Sequence, residues 1–144
     1  MKLIRPGMLF LAALLLAACA AQTESDRLHE IFDHEWHARL REFPLFATSV
    51  GVHEYDDRLP EMRLEDLKRR DATWRGLLAE LDAIDRARLD AEDEINLDIL
   101  RAQLENRIAG FEFGSYQIPL NADSGFHSGF ARLPQNVPLD TVAA

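Results

Sequence analysis

The chain contains little from which a disulfide, a phosphate site or a nucleic-acid interface could be built. Cys19 is the only cysteine in 144 residues, so no disulfide can form within the chain and packing alone must hold the fold. The 16 Lys and Arg residues face 25 Asp and Glu residues, which gives a net charge of −9. Such a surface repels phosphate groups, and we expect no nucleic-acid partner. A phosphate-binding glycine loop and a Gly-x-Ser-x-Gly nucleophile turn are also missing from the sequence.

The N-terminal segment has the layout of a secretory signal, with a basic start and an apolar run over residues 8–18. This run is shorter than the roughly 20 residues that a helix needs to cross a bilayer. It ends in Leu16-Ala17-Ala18-Cys19, which resembles the lipobox of bacterial lipoproteins. The resemblance implies that residues 1–18 form a signal helix that is removed, and that residues 19–24 tether the protein to a lipid on Cys19. The alternatives are a plain cleavable signal with an unrelated cysteine and, less favoured, a membrane helix.

This resemblance also implies a cellular location. A lipidated Cys19 would anchor the protein to a membrane of the cell envelope. Because Ala20, and not Asp, follows the cysteine, the anchor would be sorted to the outer membrane, facing the periplasm, in a Gram-negative bacterium.

Apolar residues recur at helical spacing in three stretches, which predicts an all-α fold with three main amphipathic helices. The first follows Thr23, which can form a capping box with Asp26, and ends at a break marked by Pro44. The second is predicted over residues 64–84, and the third over residues 90–111 with Asp90 as its cap. Residues 47–59, between the first two helices, are predicted to form an irregular but ordered loop.

The composition changes after Gly114, where glycines and prolines interrupt every periodic run. We therefore predict that residues 115–144, here called the C-terminal arm, are irregular and contain no helix longer than two turns. Such a long irregular stretch is uncommon in a compact domain. The helices also carry wide apolar faces with too little to cover them. We expect residues 25–144 to be the N-terminal helical portion of a larger helical domain, whose missing C-terminal portion would be a partner of this chain.

Histidines on the first helix are the candidate metal ligands. His34 and His37 have an His-x-x-His spacing that places both rings on roughly one side of a helix. The segment from His29 to His34 has one residue too many for the zinc-peptidase motif His-Glu-x-x-His. We interpret these histidines as solvated side chains, with a weak metal site as the alternative, and assign no metal ligand.

Other charged clusters have simple structural interpretations. The acids Asp56 and Asp57 with Arg58 are expected to pin a loop through ion pairs. The run from Lys68 to Arg70 is expected to be a solvated helix face with ion pairs four residues apart, because acids flank it. The segment of residues 124–129 combines Ser, His and Gly and is expected to be a surface loop. We assign no catalytic and no cofactor-binding residue.

Four segments, in order, resemble a bacterial family known as domain of unknown function 885. They are residues 42–51, 55–60, 93–100 and 116–121. Members of this family are longer, mostly helical and grouped with gluzincin-type zinc metallopeptidases, because of a His-Glu-x-x-His-like motif in their C-terminal half. This sequence has no such motif. The resemblance therefore implies zinc and a peptide substrate for the full-length family and no catalytic residue here.

These observations lead to one preferred hypothesis and two others. The chain is interpreted as the N-terminal fragment of a secreted lipoprotein related to zinc peptidases, which frames a substrate cleft and is inactive alone. The first alternative is a small, complete helical envelope lipoprotein that acts as a binding or scaffold module. The second is a metal-binding module built on His34 and His37.

Overall fold

The computed structural model describes residues 22–118, 120 and 125–137 of the chain. The predicted signal, residues 1–18, and the predicted lipidation site, Cys19, lie outside the described residues. The predicted all-α fold with three main helices is confirmed. Among the described residues, no helix is both long and apolar enough to cross a membrane.

Helix α1 spans Glu24–Glu42 and begins where the sequence predicts it. Thr23 Oγ1 accepts a hydrogen bond from the Asp26 N–H at 3.0 Å, and Asp26 Oδ2 accepts one from the Thr23 N–H at 3.0 Å. This capping box satisfies two of the free N–H groups at the helix start. The chain breaks at Phe43, as predicted, and Pro44 starts the short helix α2, Pro44–Ser49. The predicted irregular loop was thus wrong for its first residues, because proline suits the first position of a helix, where its missing N–H would have no partner.

Helices α3, Leu64–Asp82, and α4, Ala91–Glu112, are joined by a 3₁₀ turn at Arg86–Arg88. The predicted cap of α4 is confirmed, because the Asp90 side chain accepts hydrogen bonds from the N–H groups of the second and third helical residues. Gly114 ends α4 in the left-handed region, with φ at 67°, which glycine adopts without steric cost. A second 3₁₀ turn, Ser115–Gln117, follows directly.

The three long helices α1, α3 and α4 enclose one hydrophobic core, here called the three-helix core. Helices α3 and α4 make the most extensive contact, and α1 packs on both. Leu28, Leu81 and Leu104, one from each helix, are fully buried at its centre. A smaller cluster around Leu40, Ala47 and Tyr55 packs α2 and the following loop against the far side of α1.

The C-terminal arm is more regular than its composition indicates. The prediction of no helix beyond two turns was wrong, since α5 spans Phe126–Asn136 and contains Pro134. Apolar residues at 126, 130, 133 and 137 have the spacing of a helix, and Pro134 lies in the last turn, two residues before the helix ends. Helix α5 contacts α2, so the described part of the arm returns to the bundle.

Candidate functional site

Three buried glutamates lie on the core-facing side of α1. Glu24, Glu35 and Glu42 are separated by eleven and seven residues, which is about three and two helical turns, so they share one face. Leu28, Ile31 and Ala38 complete that face, and all six residues are buried. A buried carboxylate is costly without partners, so the contacts of each glutamate decide what it does.

Glu24 holds the start of α1 against the turn between α3 and α4. Its carboxylate accepts hydrogen bonds from Arg27 Nη1 at 2.9 Å and from the Asp85 backbone N–H at 3.1 Å. The Asp85 N–H, followed by Arg27, lowers the pKa of this carboxyl below its ordinary value. Glu24 was assigned to the end of the tether, and in the structure it is the first residue of α1.

Glu35 links α1 to α4 near the middle of the bundle. Arg107 Nη1 on α4 donates a hydrogen bond to Glu35 Oε1 at 2.6 Å, and Arg39 Nη2 lies 3.3 Å from Glu35 Oε2. The guanidinium carbon of Arg107 also lies 4.9 Å from the centre of the Trp74 ring on α3. A single arginine therefore contacts all three helices of the core.

Glu42 links the end of α1 to α3. It accepts hydrogen bonds from Arg69 and from Arg70 Nε, the latter at 3.2 Å. Arg70 is only 8% exposed, and its guanidinium carbon lies 4.7 Å from the centre of the Phe43 ring. The interpretation of this basic run as a solvated face was therefore wrong for Arg70, because its partner lies on another helix, where sequence neighbours give no signal.

A cavity of about 240 Å³ opens between the end of α1, the middle of α3 and the end of α4. Four aromatic side chains form most of its wall, and Arg70, Asp71 and Arg107 also line it. The aromatic residues are Phe43, Trp74, Phe111 and Tyr116. This is close to the lower end of the usual size of small-molecule sites.

Asp71 is the unusual group in this cavity. Its Oδ2 accepts a hydrogen bond from Arg75 Nε at 2.8 Å, and Arg75 also donates to Glu112. Its Oδ1 is buried and has no hydrogen-bond partner among the described residues. A buried acceptor without a partner costs about 1–3 kcal/mol, and such groups are rare in folded proteins. The cavity thus combines aromatic walls with two guanidinium groups, and the unpartnered Asp71 oxygen is buried beside it.

The candidate metal ligands are not brought together. His34 and His37 are both exposed; His34 Nδ1 lies 3.6 Å from Glu80 Oε2, and the His37 Nδ1–H donates to the Asp33 carbonyl at 2.7 Å. No group of three His, Cys, Asp or Glu side chains placed to hold a metal occurs in the described part of the chain. The zinc that the family resemblance implies has no matching donor set in these residues, since a catalytic zinc usually takes three protein ligands.

Asp93, in the first turn of α4, is a further buried carboxylate. Its Oδ1 lies 3.0 Å from His29 Nε2 on α1. A hydrogen bond from the Ser25 side chain, with a smaller contribution from His29, lowers the pKa of Asp93 below its ordinary value. This contact ties the starts of α1 and α4 together.

The loop acids behave as predicted. Asp56 accepts hydrogen bonds from Thr48 Oγ1 at 2.6 Å and lies 2.8 Å from His53 Nδ1, so it pins the loop to α2. Thr48, followed by His53, lowers the pKa of Asp56. Arg58 Nε lies 3.3 Å from Asp57 Oδ1, and its guanidinium carbon lies 5.1 Å from the centre of the Tyr55 ring.

Residues 125–129 do not form the surface loop expected for residues 124–129. Ser124 lies outside the described residues, Gly125 precedes α5, and the remainder is helical. The Ser128 hydroxyl donates to the Gly125 carbonyl at 3.1 Å, which is a local contact at the helix start.

The sequence analysis missed the buried charges for one reason. Apolar spacing alone places Phe32, Trp36 and Phe43 on the core stripe of α1, whereas in the structure all three are only partly buried. The signal that could have found the true stripe is a strict alternation of four- and three-residue steps through positions 24, 28, 31, 35, 38 and 42. Glutamate occupies the first, fourth and sixth of these positions, so a search for apolar residues alone passes over this stripe.

A family model described as "Bacterial protein of unknown function (DUF885)" matches residues 44–144, which is more than two thirds of the chain. The match includes α2 to α5 and every cavity-lining residue except Phe43. No curated protein and no solved structure matches the chain. The family predicted from the four segments is thereby confirmed. This chain belongs to the DUF885 family of bacterial proteins.

Proposed function

We propose that this chain is a lipid-anchored cell-envelope protein whose helices frame the cleft for a peptide or similar amide substrate. In this proposal the lipid on Cys19 holds the protein at the membrane. The helices supply binding surface, and the reacting groups of a zinc peptidase are supplied by sequence other than the described residues.

The observation that carries the proposal is the cavity between α1, α3 and α4. Its aromatic walls suit apolar side chains, and its guanidinium and carboxylate groups suit the polar atoms of an amide backbone. The large apolar residues Phe113 and Ile118, which flank the cavity-lining residues Ser115 and Tyr116 in the sequence, are exposed. Exposed apolar residues near a cavity are typical of a surface that binds a ligand or another protein segment.

The anchor is tested by changing Cys19 to Ser in a bacterium. The unchanged protein should label with palmitate and enter the detergent phase, because an acylated cysteine carries long apolar chains. The Cys19→Ser protein should do neither. Equal labelling of both proteins would contradict the lipoprotein part of the proposal.

The cleft is tested with fluorescent peptides and the purified full chain, with and without added zinc. We expect binding without hydrolysis in both cases. Zinc-dependent hydrolysis that is lost in His34→Ala or His37→Ala would contradict the proposal and support the metal-binding alternative.

A second candidate is a binding or scaffold module of the envelope. The observation that favours it is the three-helix core, which has its own fully buried leucines and is tied by ion pairs between helices. A sharp, cooperative, monomeric melt of the full chain, without peptide binding, would favour this candidate over the cleft.

A further inference from the structure

Helix α4 carries apolar residues on two opposite sides. Its core-facing side includes Leu97, Leu100, Leu104 and Ile108, which are all buried. A second row, here called the outer stripe, starts at Ile95 and Ile99, which are 61% and 51% exposed. It continues at positions 102, 106, 109 and 113 in alternating steps of three and four, with Asn106 as its only polar residue. With about 3.6 residues per turn, the outer stripe lies about 180° from the core-facing side. Such a row has the spacing of a seam between two helices.

The outer stripe borders a groove between α1 and α4. The groove has a volume of about 420 Å³. Ile99 and Leu100 line it from α4, and Phe32 and Trp36 line it from α1. Both aromatic side chains are only partly buried, so the groove and the outer stripe form one apolar surface, here called the α1–α4 face. An apolar groove between two helices suits a third helix, whose side chains enter it at three- and four-residue spacing.

The acids around the α1–α4 face are not neutralised by bases. On α1, Asp33 lines the groove and is exposed, and its carboxylate has no basic partner among the described residues. On α4, Glu105 flanks the outer stripe, and it too has no such partner in the part of the chain that the structure describes. Asp98 lies on the same flank and shares Arg86 with Glu94. The apolar surface therefore has a negatively charged border.

The arginines near this face are held by acids. Arg39 lines the groove, but its Nη2 lies 3.3 Å from the buried Glu35, and its guanidinium carbon lies 5.0 Å from the centre of the Trp36 ring. Arg101 on α4 pairs with Asp82 on α3. A partner with positive charge would complement the free acids, whereas a second copy of this chain would bring the same acids to the interface, where like charges repel.

We propose that the α1–α4 face binds an amphipathic helix of a partner protein, with Lys or Arg residues on both sides of its apolar stripe. The apolar side chains of this helix fill the groove between Trp36 and Ile99. Its basic side chains pair with Asp33 on one side and with Glu105 on the other. The groove shares no lining residue with the cavity between α1, α3 and α4, so this proposal does not rest on the proposed function.

The probe is a synthetic peptide of about 18 residues, or five helical turns, made of leucine and lysine with leucines at three- and four-residue steps. Its control has glutamate in place of lysine. Each peptide is titrated into the full chain in a non-ionic detergent, and the two tryptophan indole N–H signals are followed by NMR. Trp36 lines the groove, whereas Trp74 lines the other cavity.

We expect the lysine peptide to shift the Trp36 signal in a saturable way and to leave the Trp74 signal in place. The glutamate peptide should bind about tenfold more weakly or worse, because its charges meet Asp33 and Glu105. Equal affinity of the two peptides, or no shift of Trp36, would overturn the proposal. A shift confined to Trp74 would also overturn it, and would leave the proposed cleft for peptides standing.

The apolar contact is tested by Ile99→Ser, which should weaken binding of the lysine peptide about tenfold or more. Ile99 is exposed and lies outside the three-helix core, so the fold should persist. Leu59→Ser is the matched control, because Leu59 is also an exposed apolar residue and does not line this groove. Unchanged affinity in folded Ile99→Ser, or equal weakening in both variants, would overturn the proposal.

The charged contacts are tested by the double variant Asp33→Asn with Glu105→Gln, which also serves if Ile99→Ser does not fold. It should weaken binding of the lysine peptide about tenfold or more. The control, Glu30→Gln with Glu54→Gln, removes the same total charge at exposed positions that do not line the groove, and should bind nearly as the unchanged chain does. Equal weakening in the two double variants would show attraction by net charge alone and would overturn the site.

Sedimentation of the full chain without peptide tests the other occupant of this face. We expect one copy of the chain per particle, because the acids at the border oppose self-association. A dimer that dissociates in Ile99→Ser would overturn the proposed partner and identify a second copy as the occupant.

Discussion

The three-helix core and the described part of the C-terminal arm differ in the burial of their apolar side chains. In the core, Leu28, Leu81 and Leu104 are completely buried. Just after α4, Phe113 is 87% exposed, and within the arm Phe130 is 74% exposed. The core helices are also tied to one another by charged pairs, whereas the described part of the arm contacts α4 through the 3₁₀ turn Ser115–Gln117 and α2 through α5. The comparison teaches that the core buries the apolar side chains that stabilise the fold, whereas the arm leaves large apolar side chains exposed.

We expect the largest loss of stability when a fully buried leucine is replaced. Leu104→Ala should lower the free energy of unfolding by about 2–5 kcal/mol, because it removes buried methyl groups and leaves a cavity between three helices. Ile99→Ala on the same helix is the control; Ile99 is exposed and its change should stay within about 0.5 kcal/mol. Urea unfolding followed by circular dichroism measures both. Similar losses in the two variants would mean that α4 is not packed as described.

The next effect comes from the buried charges. Glu35→Gln removes the charge between Arg39 and Arg107 and should lower the free energy of unfolding by about 1–3 kcal/mol. Glu30→Gln, an exposed position on the same helix, should leave stability unchanged. The same urea unfolding experiment applies. If Glu35→Gln leaves the free energy of unfolding unchanged, solvent reaches the ion pairs of Glu35 and screens them.

Asp93 gives the core a pH dependence. Its pKa is lowered in the folded chain, chiefly by Ser25, so folding is favoured while this carboxyl is ionised. The stabilisation is complete above its pKa in the unfolded chain, which is about 3.9, and is lost as the pH falls through the lower folded-state pKa. Asp93→Asn should therefore lower stability at pH 7 and flatten its decline below about pH 4. Glu92→Gln, an exposed neighbour in the same turn, should keep the original slope, and unfolding curves between pH 7 and pH 3 provide the comparison.

The smallest effect on stability is expected for the exposed aromatic residues. Replacing Phe113 and Phe130 with Ser should change the free energy of unfolding by no more than about 0.5 kcal/mol each, since neither contributes to the core. The same change should reduce the binding of a hydrophobic dye, because it removes exposed apolar area. If these replacements lower stability strongly and leave dye binding unchanged, Phe113 and Phe130 are packed in the core. The two regions would then not differ in burial.

Much of the fold could be read from local chemistry. Thr23 with Asp26, Asp90, Pro44 and Gly114 mark helix ends through contacts that span a few residues, and these boundaries agree with the structure to within two residues. Apolar spacing within each long helix is likewise a local property, so the existence of α1, α3 and α4 followed from it. Helix α5 was missed because Gly129 and Pro134 usually disfavour a helix, although Pro134 lies only two residues before the end of α5.

The sequence by itself therefore determined the all-α class, the main helix ends and, through the ordered segments, the family. Only the tertiary structure decided the site. Arg107 meets Glu35 across 72 positions and Arg70 meets Glu42 across 28, and no periodicity along one helix encodes which helix lies opposite. Likewise, Asp71 looks like one of many surface acids, and only the packed structure shows that its Oδ1 is buried without a partner among the described residues. The physical reason is that burial and pairing are properties of helices packed together, whereas caps and breaks depend on neighbouring residues alone.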